Sequence, residues 1–471
     1  MVLVNSERST QGTAVLDSVS PDALRQSARD HIWVHSASWV DMAEGDGLHV
    51  FDRGEGSLLY DVHGREYIDG ISGLWVVNAG HGRKEIGAVM GEQAGRLAYA
   101  AAGSFTTVPA VKLAAMLAER TPGDLNRVFF CSGGSEAVET AMKIAKQVQA
   151  MRGFPRRYKM IARRNSYHGM TFGAMSLTHA KNEAHFGPFM YGVSHVSHPN
   201  RYRSDFDLEG EAADIAAAKA VEQEIIAQDP ETVAAVIAEP VSVSAGVHVP
   251  SKIYWKMLRE ICDRHGVLLI ADEVIDGFGR TGTMFAIEQW GIVPDIMTIA
   301  KGLSSGYAPI AAAIVRDQLF EVFQDQKDIY LGHLLTFGGH AVAAAAAVKN
   351  LEIFDDEQLV AKGATTGAYL GKRLEELRSH PTVGDVRGVG MLWATELVMD
   401  KDKKTPFGKD HAFTKRVNDL LMERGLITRV WAVIHFGPPL TTSTDLIDQI
   451  VTIVDESLTI AEGEFASEIS A

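Results

Sequence analysis

The sequence predicts an α/β protein with a large domain on a mostly parallel sheet and a smaller α+β domain. Three observations predict it. Between about residues 76 and 345, short apolar runs rich in β-branched residues alternate with helical periodicities. Four of those runs end in polar residues, as strands do where a parallel sheet meets a crevice. After Ala345 the alternation stops, and helical stretches flank two extended segments.

At 471 residues the chain exceeds what one small core supports. We divide it into an N-terminal segment of the smaller domain (1–75), the large domain (76–345) and the C-terminal smaller domain (346–471). Residues 1–30 are polar and unpatterned, an expected arm. From Gly56 to Asp69 the pattern is a hairpin turning at His63-Gly64. Val128-Phe129-Phe130 is strand-like, and Glu136 to Gln149 carries Val138, Ala141, Ile144, Ala145 and Val148 on one helical face. Lys159–Ala162, Val233–Ala238, Val267–Ala271 and Ile296–Ala300 are further strands, and the helix Lys252–His265 is expected to end on a left-handed Gly266. Helices follow at 358–379, 411–424 and 445–462, with extended segments at 391–398 and 426–436. Thr442-Ser443-Thr444-Asp445 matches a capping box for the last helix.

Hydrophobic residues make up 46% and charged residues 22%, the balance of a globular protein. A net charge of −15 argues against nucleic acid or an anionic membrane as partner, so an anionic substrate needs its own local cations. The two cysteines, Cys131 and Cys262, lie far apart, which fits a reducing cytoplasm rather than a disulfide framework. Met1–Thr13 has no basic region leading into an apolar stretch, so no secretory signal is expected. The longest apolar run, Ala341–Val348, is too short to span a bilayer.

The chemistry is carried by strand ends. Lys301 follows Ile296–Ala300, Asp272 follows Val267–Ala271, Glu239 follows Val233–Ala238, and Ser132–Ser135 follow Val128–Phe130. A lysine after one strand and a carboxylate after a nearby strand are how a protein holds pyridoxal phosphate. The amine forms a Schiff base with the aldehyde, and the carboxylate keeps the ring nitrogen protonated. Five apolar residues precede Asp272, and a carboxylate there is costly to bury without a cation. Burial would lower the pKa of Lys301 and make it nucleophilic. Ser132-Gly133-Gly134-Ser135-Glu136-Ala137 is either a phosphate cradle at a helix N-terminus or a glycine-rich turn. Tyr167, in Tyr167-His168-Gly169, either stacks on a planar cofactor or is a core tyrosine. No metal-ligand cluster is predicted.

These residues resemble the class III pyridoxal-phosphate aminotransferases, the omega-transaminase group. The likeness runs from about Gly45 to Pro439. It includes Gly73-Leu74-Trp75-Val76-Val77-Asn78 with Gly80-His81-Gly82-Arg83, Ser135-Glu136-Ala137, Tyr167-His168-Gly169 and Glu239-Pro240. It continues through Asp272-Glu273-Val274, Gly277–Gly282, Ala300–Tyr307 and Arg387–Met391. The resemblance implies a fold-type I homodimer with active sites at the subunit interface. It assigns Lys301 the covalent link and a proton shuttle, and Asp272 the ring nitrogen. Val274 and Tyr167 would pack on opposite ring faces, and Gly134 and Ser135 would hold the phosphate, with Ser132, Gly133, His168 and Glu239 beside the cofactor. Thr336 would reach the phosphate of the neighbouring subunit. Arg429 matches an arginine that meets a substrate carboxylate, with a surface-strand arginine as the rival reading. Trp75 would line the substrate pocket, with a core tryptophan as the rival.

Two departures from the family pattern stand out. Val241-Ser242-Val243-Ser244-Ala245-Gly246 replaces the glutamine and glycine pair many relatives carry after Glu239-Pro240, which bears on the cofactor's phenolic oxygen. Tyr99-Ala100-Ala101-Ala102-Gly103-Ser104-Phe105 is small where relatives often place aromatics, which implies a roomier pocket for bulky amines. The expected reaction moves an amino group from an amine or omega-amino acid to a keto acid, pyruvate by family analogy, by a ping-pong route. The rival readings are an aminomutase or decarboxylase on the same scaffold, and a cofactor-binding protein without catalysis.

Overall fold

The computed structural model describes residues 19–40, 48–178, 183–324, 327–408 and 411–469. The first eighteen residues, with the stretch read for a secretory signal, lie outside it. A seven-stranded sheet organises the large part of the molecule. Its strand order is Leu125–Cys131, Ala311–Arg316, Ile296–Ile299, Leu268–Asp272, Val233–Ala238, Lys159–Arg163 and Val193–Val196. Ala311–Arg316 runs antiparallel to both neighbours, and the other pairings are parallel.

Alternation within each central strand feeds two cores. Val236, Leu269 and Met297 pack on one face of the sheet. Ile237, Ile270 and Ile296 pack on the other. Strands buried on both faces read as continuous apolar runs, which is why the sequence exposed them. The helix Lys252–His265 ends as expected, with Gly266 at φ 63° and its N–H bonded back to Asp263.

The second part joins both ends of the chain. The hairpin strands Leu58–Asp61 and Glu66–Asp69 pair antiparallel across the His63-Gly64 turn. Glu66–Asp69 then pairs in parallel with Leu426–Ile427. Beyond it, Val383–Val389, Leu392–Asp400, Val433–Phe436 and Arg429–Val430 form an antiparallel sheet against the helices Leu359–Glu375, Ala412–Glu423 and Thr444–Glu464. The extended segment expected at 426–436 is three short strands, because Trp431 and Ala432 turn the chain back on itself. The helix Ala341–Asp356 runs through residue 345 and packs in the large core, so a limit at 345 would cut it.

Two local expectations need correction. The last helix is capped by Ser443, whose hydroxyl accepts from the Leu446 N–H, and not by a box starting at Thr442. Thr442 instead donates to the Pro439 carbonyl and sits 2.7 Å from the Ser57 hydroxyl. The polar N-terminal stretch is helical over Pro21–His31, started by a Ser20 cap and a proline in the first turn.

Candidate active site

Register brings the chemistry together. Asp272 pairs with Thr298 across adjacent parallel strands, and Lys301 follows three residues after Thr298. Both strands end on the same side, so a carboxylate and an amine far apart in sequence open onto one cleft of about 580 Å³. The cleft is lined by Trp75, Gly134, Ser135, Tyr167, His168, Glu239, Asp272, Val274, Lys301 and Arg429, all singled out in the sequence.

Asp272 is 3% exposed. One carboxylate oxygen accepts from the Thr298 hydroxyl at 3.0 Å and the Val274 N–H at 3.2 Å. The other lies 2.7 Å from His168 Nδ1. His168 therefore braces Asp272 with one ring nitrogen, while its buried Nε2 has no hydrogen-bond partner among the described residues. Glu239 accepts from Arg163 at 2.8 Å and from the Tyr167 N–H at 3.1 Å, which fixes the tyrosine's backbone at the cleft edge.

Lys301 sits in left-handed backbone at φ 43°, and Trp75 at φ 55°. Each costs about 1–3 kcal/mol and persists only where the surroundings over-determine it. The Lys301 turn is held from outside the sheet: Asn350 of the helix Ala341–Asp356 donates to the carbonyls of Gly302 and Leu303 at 2.9 and 3.0 Å. The Trp75 turn is held by Asp69, which accepts from the Ile71 and Gly73 N–H groups. Lys301 Nζ has no hydrogen bond or ion pair among the described residues and lies 5.8 Å from the Trp75 ring centroid. Burial pulls its pKa down to about 8, against the opposing pull of Asp272 and Asp276.

The helix Gly134–Met151 starts at the cleft with no side-chain cap, so its first-turn N–H groups and positive dipole end face an anion site. Gly134 lets Val274 pack against the helix start: a Cβ there would meet Val274 at 2.9 Å. These features fit pyridoxal phosphate: an uncapped helix end for its phosphate, Asp272 for its ring nitrogen, Val274 and Tyr167 at its faces and an unpaired amine for its aldehyde. Ser132, Gly133 and Thr336 do not line the cleft. The Ser132 N–H is taken by Glu136 at 2.7 Å, Gly133 is the residue before the helix, and the Thr336 carbonyl accepts from Tyr99 at 2.9 Å. The small residues around Ala100–Gly103 line a separate hollow with His333–Leu335, not the cleft of their own chain.

Sequence reasoning missed His35, Ser36, Asp276 and Trp431, all on the cleft. Nothing in the N-terminal segment marked His35 or Ser36. Asp276 was legible as a third acidic residue within five positions of Asp272 and Glu273. It is 1% exposed and accepts from the Val241 N–H at 2.8 Å, and burial pushes its carboxyl well above the usual range. It therefore ties the 241–246 stretch to the cleft through the Val241 N–H. Trp431 stands in the turn that follows the strand Arg429–Val430, where no strand periodicity marks it.

A mostly parallel sheet with one antiparallel strand, carrying a buried lysine and a braced carboxylate at its carboxyl edge, defines a pyridoxal-phosphate enzyme of fold type I. The chain belongs to the class III aminotransferases: the family described as Aminotransferase class-III matches residues 41–458. It is 41% identical to a probable aminotransferase of Mycobacterium tuberculosis over 93% of this chain and 94% of that one. It is 37% identical to a putrescine–pyruvate aminotransferase of Pseudomonas aeruginosa, covering 92% of this chain and 94% of the relative. The omega-transaminase from Pseudomonas jessenii, solved in complex with PMP, superposes with a TM-score of 0.90 at 35% identity, over 93% of this chain and 98% of that one. The protein is thus a transaminase that uses pyridoxal phosphate.

Gly134→Ala is expected to weaken cofactor binding at least about fivefold in equilibrium dialysis, because overpacking against Val274 costs about 1–3 kcal/mol. A second expectation concerns pH. In cofactor-free protein, covalent uptake of pyridoxal phosphate, trapped by borohydride, accelerates as pH rises through about 8 and then levels. A midpoint near the ordinary lysine value of 10.5 contradicts it. Because folding depresses this pKa, the cost of Lys301 to stability is full below about 8 and gone above about 10.5.

Proposed function

We propose that the protein is an omega-aminotransferase that moves an amino group from an amine or omega-amino acid to a keto acid, pyruvate, by a ping-pong route. The observation that carries this reading is the meeting of Lys301, Asp272 and Arg429 on one cleft. The relative named for putrescine and pyruvate supports the choice of acceptor.

When bound, pyridoxal phosphate supplies an aldehyde that exchanges amines and a ring that draws charge from the substrate carbon. Lys301 Nζ, freed when substrate amine takes its place, removes the proton from the amine-bearing carbon and later returns one. Its depressed pKa keeps a useful fraction unprotonated near neutrality. Asp272, kept in place by His168 and Thr298, would hold the cofactor's ring nitrogen. Arg429 receives the acceptor's carboxylate through paired N–H donors.

The assembly we propose is a homodimer in the cytoplasm. Val108, Phe105, Leu334 and Phe337 are 81, 69, 64 and 59% exposed on the side that carries Thr336, an apolar face suited to a second copy. In that dimer Thr336 and the small residues near Ala100 would serve the neighbouring subunit's cleft. Both cysteines are free and buried, which suits a reducing compartment.

A panel of amines offered with pyruvate tests the reading. Alanine should form in step with amine consumed, and Lys301→Ala should lose both the borohydride-reducible adduct and multiple turnover. Product formation without any keto acid would point to a mutase instead.

A further inference from the structure

Arg429 is a cation of the cleft that no carboxylate answers. No ion pair or side-chain hydrogen bond to its guanidinium is present among the described residues. Its central carbon lies 4.0 Å from the Trp431 ring centroid and 6.0 Å from that of Trp75. Burial disfavours its charge, and the nearby Tyr167 opposes that only in part.

Three aromatic rings back this arginine. Trp431 stands edge-on to His435 at 5.8 Å and 82°, and His435 stands edge-on to Trp75 at 5.7 Å and 77°. His435 is buried, and its Nδ1 lies 3.2 Å from the Arg429 carbonyl. It is held neutral, its pKa pushed down to about 4 by burial, so it does not repel the guanidinium. Trp431 itself is 50% exposed in the turn between two short strands, so its contribution is its face rather than a place in the core.

A salt-bridged arginine would be expensive to free, because the abandoned carboxylate stays in the cleft. A ring face holds a guanidinium loosely and leaves no charge behind when the arginine departs. A substrate carboxylate, offering two charge-assisted hydrogen bonds, outcompetes it. An amine without a carboxylate does not, and the arginine must then have somewhere to rest.

We propose that Trp431 is a positioning residue for substrate specificity: its indole face is where Arg429 rests when the bound substrate lacks a carboxylate, so one cleft accepts both amines without a carboxylate and keto acids. This rests on the reading that Arg429 receives the acceptor's carboxylate.

The test separates the two half-reactions in the loaded enzyme. The probes are 1-phenylethylamine as an amine without a carboxylate, pyruvate as acceptor, and propionate as an unreactive carboxylate inhibitor. In Trp431→Leu, KM for the amine should rise about tenfold while the inhibition constant of propionate stays within threefold or tightens. Trp431→Phe, which keeps a ring face, should return the amine KM to within about threefold of the parent. Equal factors on amine and carboxylate, or no change in either, overturn the inference, since a mere wall residue would act on both alike. Arg429→Leu serves as the control on the underlying reading. It should raise the pyruvate KM more than thirtyfold; an unchanged value removes the carboxylate role of Arg429, and this inference with it. A selective Arg429→Leu effect beside an unselective Trp431→Leu effect removes only the role of Trp431. Cofactor absorbance reports that each variant retains its site.

Discussion

The buried carboxylate of Asp272 is the constraint around which the site is arranged. At 3% exposure a charged oxygen pair is tolerable only with donors and a cation in reach. Thr298, Val274 and His168 supply the donors, each from a different part of the sheet edge. A cationic ring nitrogen would supply the missing cation. Lys301 shares that field: Asp272 raises its pKa while burial lowers it further, and the outcome near 8 suits an amine that is both nucleophile and proton carrier.

The sheet gives direction, and the rest of the chain gives rigidity. Lys301 and Trp75 both occupy left-handed backbone, which neither would choose alone. Asn350 and Asp69 hold them there from a helix and a hairpin on different sides of the cleft. Arg280, fully buried, donates to the Gly437 carbonyl, and Ser72 donates to the same group at 2.7 Å. The segment bearing the cofactor residues and the segment bearing Arg429 are therefore tied to each other across the cleft. That suits a reaction in which substrate and cofactor must be held in fixed relation.

The family likeness reaches the transaminase class, and two residues of the cleft add detail to it. Asp276, on the cleft, accepts from the Val241 N–H and so holds the start of the 241–246 stretch. Trp431 places an aromatic face under Arg429. Both stand beside residues recognised in the sequence, yet neither role was visible from spacing. A strand that ends at Val430 gives no sign that the next turn brings an indole back over the guanidinium.

The sequence by itself determined the strands, because residues buried on both sheet faces leave unbroken apolar runs, and the polar residues that end them: Glu239, Asp272 and Lys301. It also determined the Gly266 cap, since a left-handed helix end favours glycine. Tertiary structure alone decided which polar group meets which. The cap of the last helix fell to Ser443, because Thr442 was already engaged with Pro439 and Ser57. The Thr336 carbonyl accepts from the hydroxyl of Tyr99, far back in the chain. Hydrogen bonds between residues hundreds of positions apart depend on strand order and register, and neither leaves a local mark in the chain.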